Sequence, residues 1–167
     1  MTFTTKTIAL STGVTLQYVE QGDPDGVPVI LLHGVTDSWR SFEPVLPHLP
    51  PSIHAFALTQ RGHGDADRPL TGYSFLNFAA DVAAFMDALQ LNRAVIVGHS
   101  MGSGVTQRFA LDYPERLLGI VLEGTFASLP GHLNRRTVAQ IPDDALDTWL
   151  ARARHFTNHV AALGADR

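Results

Sequence analysis

The sequence predicts an α/β domain: a predominantly parallel sheet of about six strands with helices on both faces. Strand-like and helical segments alternate along the chain, which is the pattern of a sheet covered by helices. Several strand-like runs are apolar throughout, as is typical of strands buried on both faces. The 167 residues suffice for one domain with a real core, and the composition, 45% hydrophobic and 17% charged, is ordinary for a globular protein.

Six short runs are predicted as strands. The first two should form a hairpin, because the turn Ser11-Thr12-Gly13 separates them, and the other four should be parallel strands. Each of the last four ends in polar or glycine-containing sequence. The predicted strands are 7–10, 14–20, 27–32, 53–58, 94–97 and 118–122.

Four segments are predicted as helices. Residues 75–89 carry apolar side chains at helical spacing, so they should present one apolar face. A shorter helix is expected over 39–49, capped by Asp37 or Ser38 and kinked or broken by its prolines, Pro44 and Pro47. Further helices are expected over 101–112, ending before a proline, and over 143–163.

Composition makes several partners improbable. The net charge is −4 and no run of Lys and Arg occurs, so neither nucleic acid nor an anionic membrane surface is expected to bind. We expect no membrane anchor and no export signal, because no segment approaches 18 consecutive apolar residues and the amino terminus lacks an apolar core. The absence of cysteine excludes disulfides and thiolate chemistry, and it fits a cytoplasmic location.

One motif carries chemistry. Residues 98–102 read Gly-His-Ser-Met-Gly, a G-x-S-x-G motif between a predicted strand and a predicted helix, which is the context of a nucleophile elbow. The alternative is an ordinary glycine-rich turn. As a nucleophile, Ser100 would sit at a helix amino terminus, where the Met101 amide can stabilise an oxyanion. The loop after strand 27–32 is expected to supply the second donor, the Val35 amide.

Four motifs together resemble one family: LLHG at 31–34, RGHG at 61–64, GHSMG at 98–102 and YPERL at 113–117. In order and spacing they are similar to the α/β-hydrolase superfamily, in particular its esterase, enol-lactonase and haloperoxidase-like members. The resemblance implies eight strands in the order 1-2-4-3-5-6-7-8, with Ser100 as nucleophile and Val35 and Met101 as oxyanion donors. It also implies that the motif residues His33, Gly34 and His99 line the substrate site.

One position departs from the family pattern. Thr59 stands where many relatives carry an acidic residue, two places before the Arg of RGHG. The hydrogen bonding of this loop therefore cannot be carried over from the family.

The last two strands of the family have no counterpart in the sequence. Residues 1–125 are predicted to form an α/β-hydrolase core that lacks them, and residues 126–167 a helical tail in place of the cap and those strands. Glu123 is a candidate for the catalytic acid, because some family members place the acid directly after the sixth strand. The alternative is a solvated residue at a strand end.

The catalytic base is less clearly marked. Eight histidines occur, and His132, His155 and His159 follow Glu123, which keeps the chain order Ser, acid, His. His155 and His159 are four residues apart on one predicted helix face. A metal site is not expected, because no third ligand is near them. A base from this tail, of the same chain or of a partner subunit, is the prediction.

These observations predict a serine hydrolase that cleaves small carboxylic esters through an acyl-enzyme on Ser100, without a cofactor. Ester, lactone, thioester and peracid chemistry remain open. A serine at the elbow disfavours the dehalogenase and epoxide hydrolase reactions, which need a carboxylate nucleophile. The alternative is a catalytically incomplete member that acts as a non-enzymatic binding or scaffold module. A homodimer is expected, because residues 118–122 would leave an apolar strand at the edge of the sheet.

Overall fold

The computed structural model describes residues 2–125. The helix predicted over 143–163 and the candidate bases His132, His155 and His159 lie outside these residues.

The described chain forms one six-stranded sheet in the order β1-β2-β4-β3-β5-β6. Strands β3 to β6 are parallel, while β1 and β2 add an antiparallel hairpin at one edge. This order matches the first six strands of the order that the resemblance implies, so the predicted fold class is confirmed. The strands are β1 Lys6–Ala9, β2 Thr15–Gly22, β3 Val27–Leu32, β4 Ile53–Thr59, β5 Ala94–His99 and β6 Leu117–Glu123.

Two α-helices pack on one face of the sheet. Helix α1, Phe75–Ala88, begins at a capping box of Ser74 and Asn77, and α2, Met101–Asp112, follows β5 directly. Their apolar sides and alternate residues of the strands form the larger buried cluster. Within residues 2–125 no helix is long and apolar enough to cross a membrane.

The opposite face is covered by two short 3-10 helices, Trp39–Phe42 and Leu46–His48. The helix expected over 39–49 is thus broken, one of the two outcomes that its prolines allowed, and its parts are 3-10 turns instead of α-helix. Two prolines without an amide hydrogen interrupt this segment, so it forms separate single turns. Ser38 does cap the first turn, since its side chain accepts a hydrogen bond from the Arg40 amide at 3.3 Å.

A buried ion pair fastens the loop after β4 to α1. The Arg61 guanidinium donates to both carboxylate oxygens of Asp81, at 2.6 and 2.5 Å, and Thr12 donates to the same carboxylate at 2.6 Å. Both charged side chains are almost fully buried. The geometry is bidentate, so the pair fixes the direction of the loop as well as its distance from the helix. This loop in turn contacts the segment after β3, which lies beside Ser100.

Strand β6 lies at the edge of the described sheet and exposes apolar side chains. Leu118, Ile120 and Val121 are 48%, 42% and 50% exposed. The strand carries no Lys, Arg or Pro, the residues that commonly protect an edge from pairing.

Candidate active site

Ser100 stands between the end of β5 and the start of α2 in a strained backbone conformation. Its φ is 52° and its ψ is −110°, values that normally belong to glycine at the first central position of a type II′ turn. Strain of this kind costs roughly 1–3 kcal/mol and persists only where the surrounding structure enforces it. A sharp turn at this place, with the serine at its apex, is the geometry of a nucleophile elbow.

The two glycines of the motif are required by close packing. A Cβ on Gly102 would lie 2.1 Å from the Leu32 carbonyl oxygen, and one on Gly98 would lie 2.3 Å from the Gly102 carbonyl oxygen. The first turn of α2 therefore presses directly against the ends of β3 and β5. No other residue allows this approach, which places Ser100 beside the loop that follows β3.

A second serine, not predicted from the sequence, stabilises the turn. The buried Ser103 hydroxyl lies 2.6 Å from the Gly98 carbonyl oxygen and 2.9 Å from the Glu123 carbonyl oxygen. The Ser100 amide donates to the same Glu123 carbonyl at 2.9 Å. These bonds tie the elbow to β6. A serine in the first turn of the predicted helix was the only signal in the sequence, and its two partners lie 5 and 20 residues away along the chain.

The loop after β3 lies close to Ser100. A Cβ on Gly34 would lie 3.3 Å from the Ser100 Cβ and 3.1 Å from the His99 Nδ1. The next residue, Val35, is followed by Thr36 at a φ of 61°, a second sparsely populated conformation. Within residues 2–125 neither the Val35 nor the Met101 amide donates a hydrogen bond to the protein. Both are thus available to an oxygen placed near Ser100.

His33 is completely buried, and both of its ring nitrogens have partners. Its Nδ1 lies 2.7 Å from the Gly34 carbonyl oxygen, and its Nε2 accepts from the Gln60 amide at 3.0 Å. Burial lowers the pKa of His33 from its ordinary 6.5 to about 4. The ring is therefore neutral near pH 7. Because the ring has no exposed surface, the predicted contact of His33 with a substrate would require the loop after β3 to open. In this structure the ring supports that loop through its hydrogen bond to the Gly34 carbonyl oxygen.

Gln60 was not singled out by the sequence, yet it holds the same loop a second time. Its side-chain amide donates to the His33 carbonyl oxygen at 2.9 Å. The pair is separated by 27 residues in the chain, so no local pattern could have indicated it.

The structure explains how the loop after β4 forms with Thr59 at the position where many relatives carry an acidic residue. Its buried hydroxyl accepts a hydrogen bond from the Trp39 amide at 3.3 Å. The nearby His63 bonds through Nδ1 to the Arg61 carbonyl oxygen at 2.9 Å, and its ring packs edge-on against His33 at 5.0 Å. Burial lowers the pKa of His63 as well. Position 59 is thus filled by a neutral, hydrogen-bonded hydroxyl, while the acidic partner of Arg61 is Asp81 in α1.

His99 and Glu123 are neighbours across the β5–β6 ladder. The half-buried His99 ring lies between Gly34 and Gly124, where a Cβ on either glycine would be 3.1 or 3.8 Å from a ring nitrogen. The Glu123 side chain is exposed, and within residues 2–125 its carboxylate has no hydrogen-bond or ion-pair partner. Its catalytic role stays a prediction, as do those of His155 and His159.

Comparison with known proteins identifies the same fold. Residues 27–164 match the family model described as the alpha/beta hydrolase fold. The chain is 35% identical over 127 residues to a Bacillus subtilis protein assigned as 2-succinyl-6-hydroxy-2,4-cyclohexadiene-1-carboxylate synthase, covering 75% of this chain and 46% of that protein. It is 38% identical over 120 residues to the non-heme chloroperoxidase of Streptomyces lividans, covering 70% and 43%.

A solved structure agrees with these relatives. A hydrolase from Pseudomonas aeruginosa superposes with a TM-score of 0.71 at 30% identity, covering 75% of this chain and 47% of that one. The chain thus spans less than half the length of these relatives. The match of the family model over most of the sequence, together with the strand order and the elbow, shows that this chain belongs to the α/β-hydrolase family.

Proposed function

We propose that this chain is a serine hydrolase that cleaves small carboxylic esters through an acyl-enzyme on Ser100. The observation that carries the proposal is the elbow itself: a serine held at a positive φ, packed against Gly34 and next to the Met101 amide. The amides of Met101 and of Val35, which follows Gly34, have no acceptor within residues 2–125. A partly exposed hydroxyl at a helix amino terminus, together with backbone N–H groups that lack an acceptor, is an arrangement that suits acyl transfer.

The proposed reaction has two balanced halves. The Ser100 oxygen attacks the carbonyl carbon, its proton passes to a base, and the carbonyl oxygen becomes an oxyanion that accepts hydrogen bonds from Val35 and Met101. The carbon–oxygen bond to the alcohol then breaks, and the alcohol leaves with the proton. Water repeats the attack on the acyl-enzyme and releases the acid and the free serine.

The choice of an ester substrate rests on the residue at the elbow. The family relatives named above include a synthase and a chloroperoxidase, so they support an enzyme family and not one reaction. A neutral hydroxyl nucleophile favours acyl groups over epoxides and alkyl halides, whose hydrolysis uses a carboxylate nucleophile. Lactones, thioesters and peracids fit the same site, so the short-chain ester is the first substrate to test.

Labelling and turnover test the proposal together. The wild-type chain should react with a fluorophosphonate probe and hydrolyse p-nitrophenyl acetate, while Ser100→Ala should lose both. Ser52→Ala is the matched control, because Ser52 is exposed before β4, at the far end of the parallel strands. Ester turnover retained in Ser100→Ala would contradict the proposal.

The rival function, a non-enzymatic binding or scaffold module, is supported by the length of the match. The chain spans less than half of its relatives, and the residues proposed as base lie outside the described part. The same probe separates the two functions. An unreactive wild-type protein that is folded by circular dichroism would favour the binding module, whereas slow labelling fits a weak esterase, since an oxyanion hole and binding alone retain about 10³- to 10⁴-fold over water.

Glu123 is proposed as the acid and a tail histidine as the base. The Glu123 carbonyl oxygen accepts a hydrogen bond from the Ser100 amide. The Glu123 side chain therefore starts at the same end of the parallel strands as Ser100. Glu123→Gln should lower kcat/KM without unfolding the protein. Single replacements of His132, His155 and His159 by Gln should identify the base. It is the histidine whose loss removes the increase of kcat/KM that accompanies deprotonation of the base as the pH rises.

A homodimer through β6 is the proposed assembly. An antiparallel pairing of two β6 strands about Ile120 would set Leu118 opposite the partner's Leu122 and Ile120 opposite the partner's Ile120, so that apolar side chains meet at the centre of the seam. Light scattering behind a sizing column at micromolar concentration should give a dimer mass. Ile120→Lys should give a monomer, whereas the control Leu111→Lys, on the exposed side of α2, should not. A monomeric wild-type protein would contradict the assembly.

A cytoplasmic location is proposed on composition. The sequence contains no cysteine, so nothing in it depends on an oxidising compartment. Fractionation of cells expressing the natural protein tests this directly.

A further inference from the structure

The Gly34–Val35 peptide is the part of the oxyanion loop that His33 holds. The carbonyl of this peptide belongs to Gly34 and lies 2.7 Å from the Nδ1 of His33, while its N–H belongs to Val35. A peptide unit is planar and trans, so its C=O and N–H point in opposite directions. Fixing the carbonyl against the buried ring therefore fixes the Val35 N–H on the side away from that ring.

The tautomer that this bond needs is set by a second contact. The Gln60 amide donates to Nε2 at 3.0 Å, so Nε2 must carry a lone pair and the ring hydrogen must lie on Nδ1. The Nδ1–H then donates to the Gly34 carbonyl oxygen. With the ring hydrogen on Nε2, that N–H would face the Gln60 N–H, and the Gly34 carbonyl oxygen would have no donor from the ring.

The His33 ring is also fixed in place. It is fully buried, and the Gln60 side-chain amide bonds to the His33 carbonyl oxygen at 2.9 Å. On the other side of the peptide, Gly34 is packed against Ser100, with a Cβ-to-Cβ approach that would be 3.3 Å. The peptide is thus fixed between a rigid ring and the nucleophile.

From this geometry we propose that His33 is a positioning residue for catalysis: it orients the Val35 N–H toward the oxyanion by holding the opposite end of the same peptide, in the tautomer that Gln60 selects. The proposal rests on the proposed acyl-transfer function. It predicts that the chemical nature of position 33 changes the rate of the chemical step even though its ring does not touch substrate.

Kinetics of three variants test the role. His33→Leu removes the Nδ1 donor and should lower kcat for p-nitrophenyl acetate by about 10- to 100-fold with KM within about threefold, because the hydrogen bond to an oxyanion forms only in the transition state. His33→Asn restores an N–H near the position of Nδ1 and should recover most of the loss. His54→Leu removes another buried, hydrogen-bonded histidine in β4, beyond the site, and should reduce stability without reducing kcat.

The outcomes separate this inference from the proposed function. A wild-type protein that lacks Ser100-dependent turnover contradicts the proposed function. A wild-type enzyme whose His33→Leu variant keeps its kcat contradicts only the inference, as does a folded His33→Asn variant that is as impaired as His33→Leu.

A second measurement needs neither turnover nor a variant that folds well. Long-range ¹H–¹⁵N spectra of the wild-type protein with ¹⁵N-labelled histidine report which ring nitrogen carries the hydrogen. His33, assigned by sequential connectivity, should be protonated at Nδ1 and unprotonated at Nε2 near pH 7. A hydrogen on Nε2 would overturn the proposal.

Discussion

Replacing Ser100 by glycine should make the protein more stable than replacing it by alanine. Both variants lack the hydroxyl, which makes no hydrogen bond within residues 2–125, so their difference isolates the backbone conformation. At a φ of 52° and a ψ of −110° alanine keeps the strain of a Cβ, and glycine does not.

The size of the effect follows from two opposing contributions. Relief of strain at a sparsely populated conformation is worth roughly 1–3 kcal/mol. Glycine also loses more conformational freedom on folding, which costs about 0.5–1 kcal/mol. The net expectation is that Ser100→Gly has a free energy of unfolding about 1 kcal/mol above that of Ser100→Ala.

Urea unfolding followed by circular dichroism measures this difference. Ala110→Gly is the matched control: Ala110 lies inside α2 at an ordinary helical conformation, where glycine should cost about 1 kcal/mol. Glycine should therefore raise the free energy of unfolding relative to alanine at position 100 and lower it at position 110. If Ser100→Gly is the less stable of the two Ser100 variants, the elbow is not strained and the reasoning fails.

Three further predictions concern the support of the site. Asp81→Ala should lower the free energy of unfolding by about 3–5 kcal/mol, because the buried Arg61 charge loses its partner, and a urea titration showing less than about 1 kcal/mol would refute this. Burial lowers the pKa of His33 to about 4, so the folded protein disfavours the protonated ring. The free energy of unfolding should therefore be unaffected by this group above pH 6.5 and should fall by about 3 kcal/mol as the pH decreases from 6.5 toward 4. Urea midpoints measured across this range should fall less steeply in His33→Asn than in the wild type, and equal slopes would exclude the histidine. Gly102→Ala should abolish fluorophosphonate labelling, since its Cβ would lie 2.1 Å from the Leu32 carbonyl oxygen, and a normal labelling rate would show that the contact is not limiting.

The sequence predicted the sheet well because each strand carries its own signal. The apolar run of β3 and the helical spacing of α1 do not depend on distant residues, and both elements agree with prediction to within a residue. The segment over 39–49 was predicted less well. Helical spacing there competes with two prolines, and a pattern cannot decide whether they bend a helix or divide it.

The candidate site was predictable only in part. The elbow motif is contiguous, so its location between β5 and α2 followed from the sequence, and the structure adds the positive φ of Ser100. The supporting contacts were not predictable, because Gln60 and His33 lie on different loops, and Arg61 lies on a loop while its partner Asp81 lies in α1. Such polar pairs are brought together only by the fold, so no local spacing of residues in the sequence indicates them.

Mass spectrometry of the labelled protein tests the central claim most directly. After reaction with a fluorophosphonate the intact wild-type chain should gain the mass of one adduct, and digestion should locate it on Ser100. Ser103, three residues further along α2, is buried and bonded to two carbonyl oxygens, so it provides an internal comparison within the same peptide. An adduct on Ser100 alone is the predicted result, and an adduct on any other residue, or none on a folded protein, would contradict Ser100 as the nucleophile.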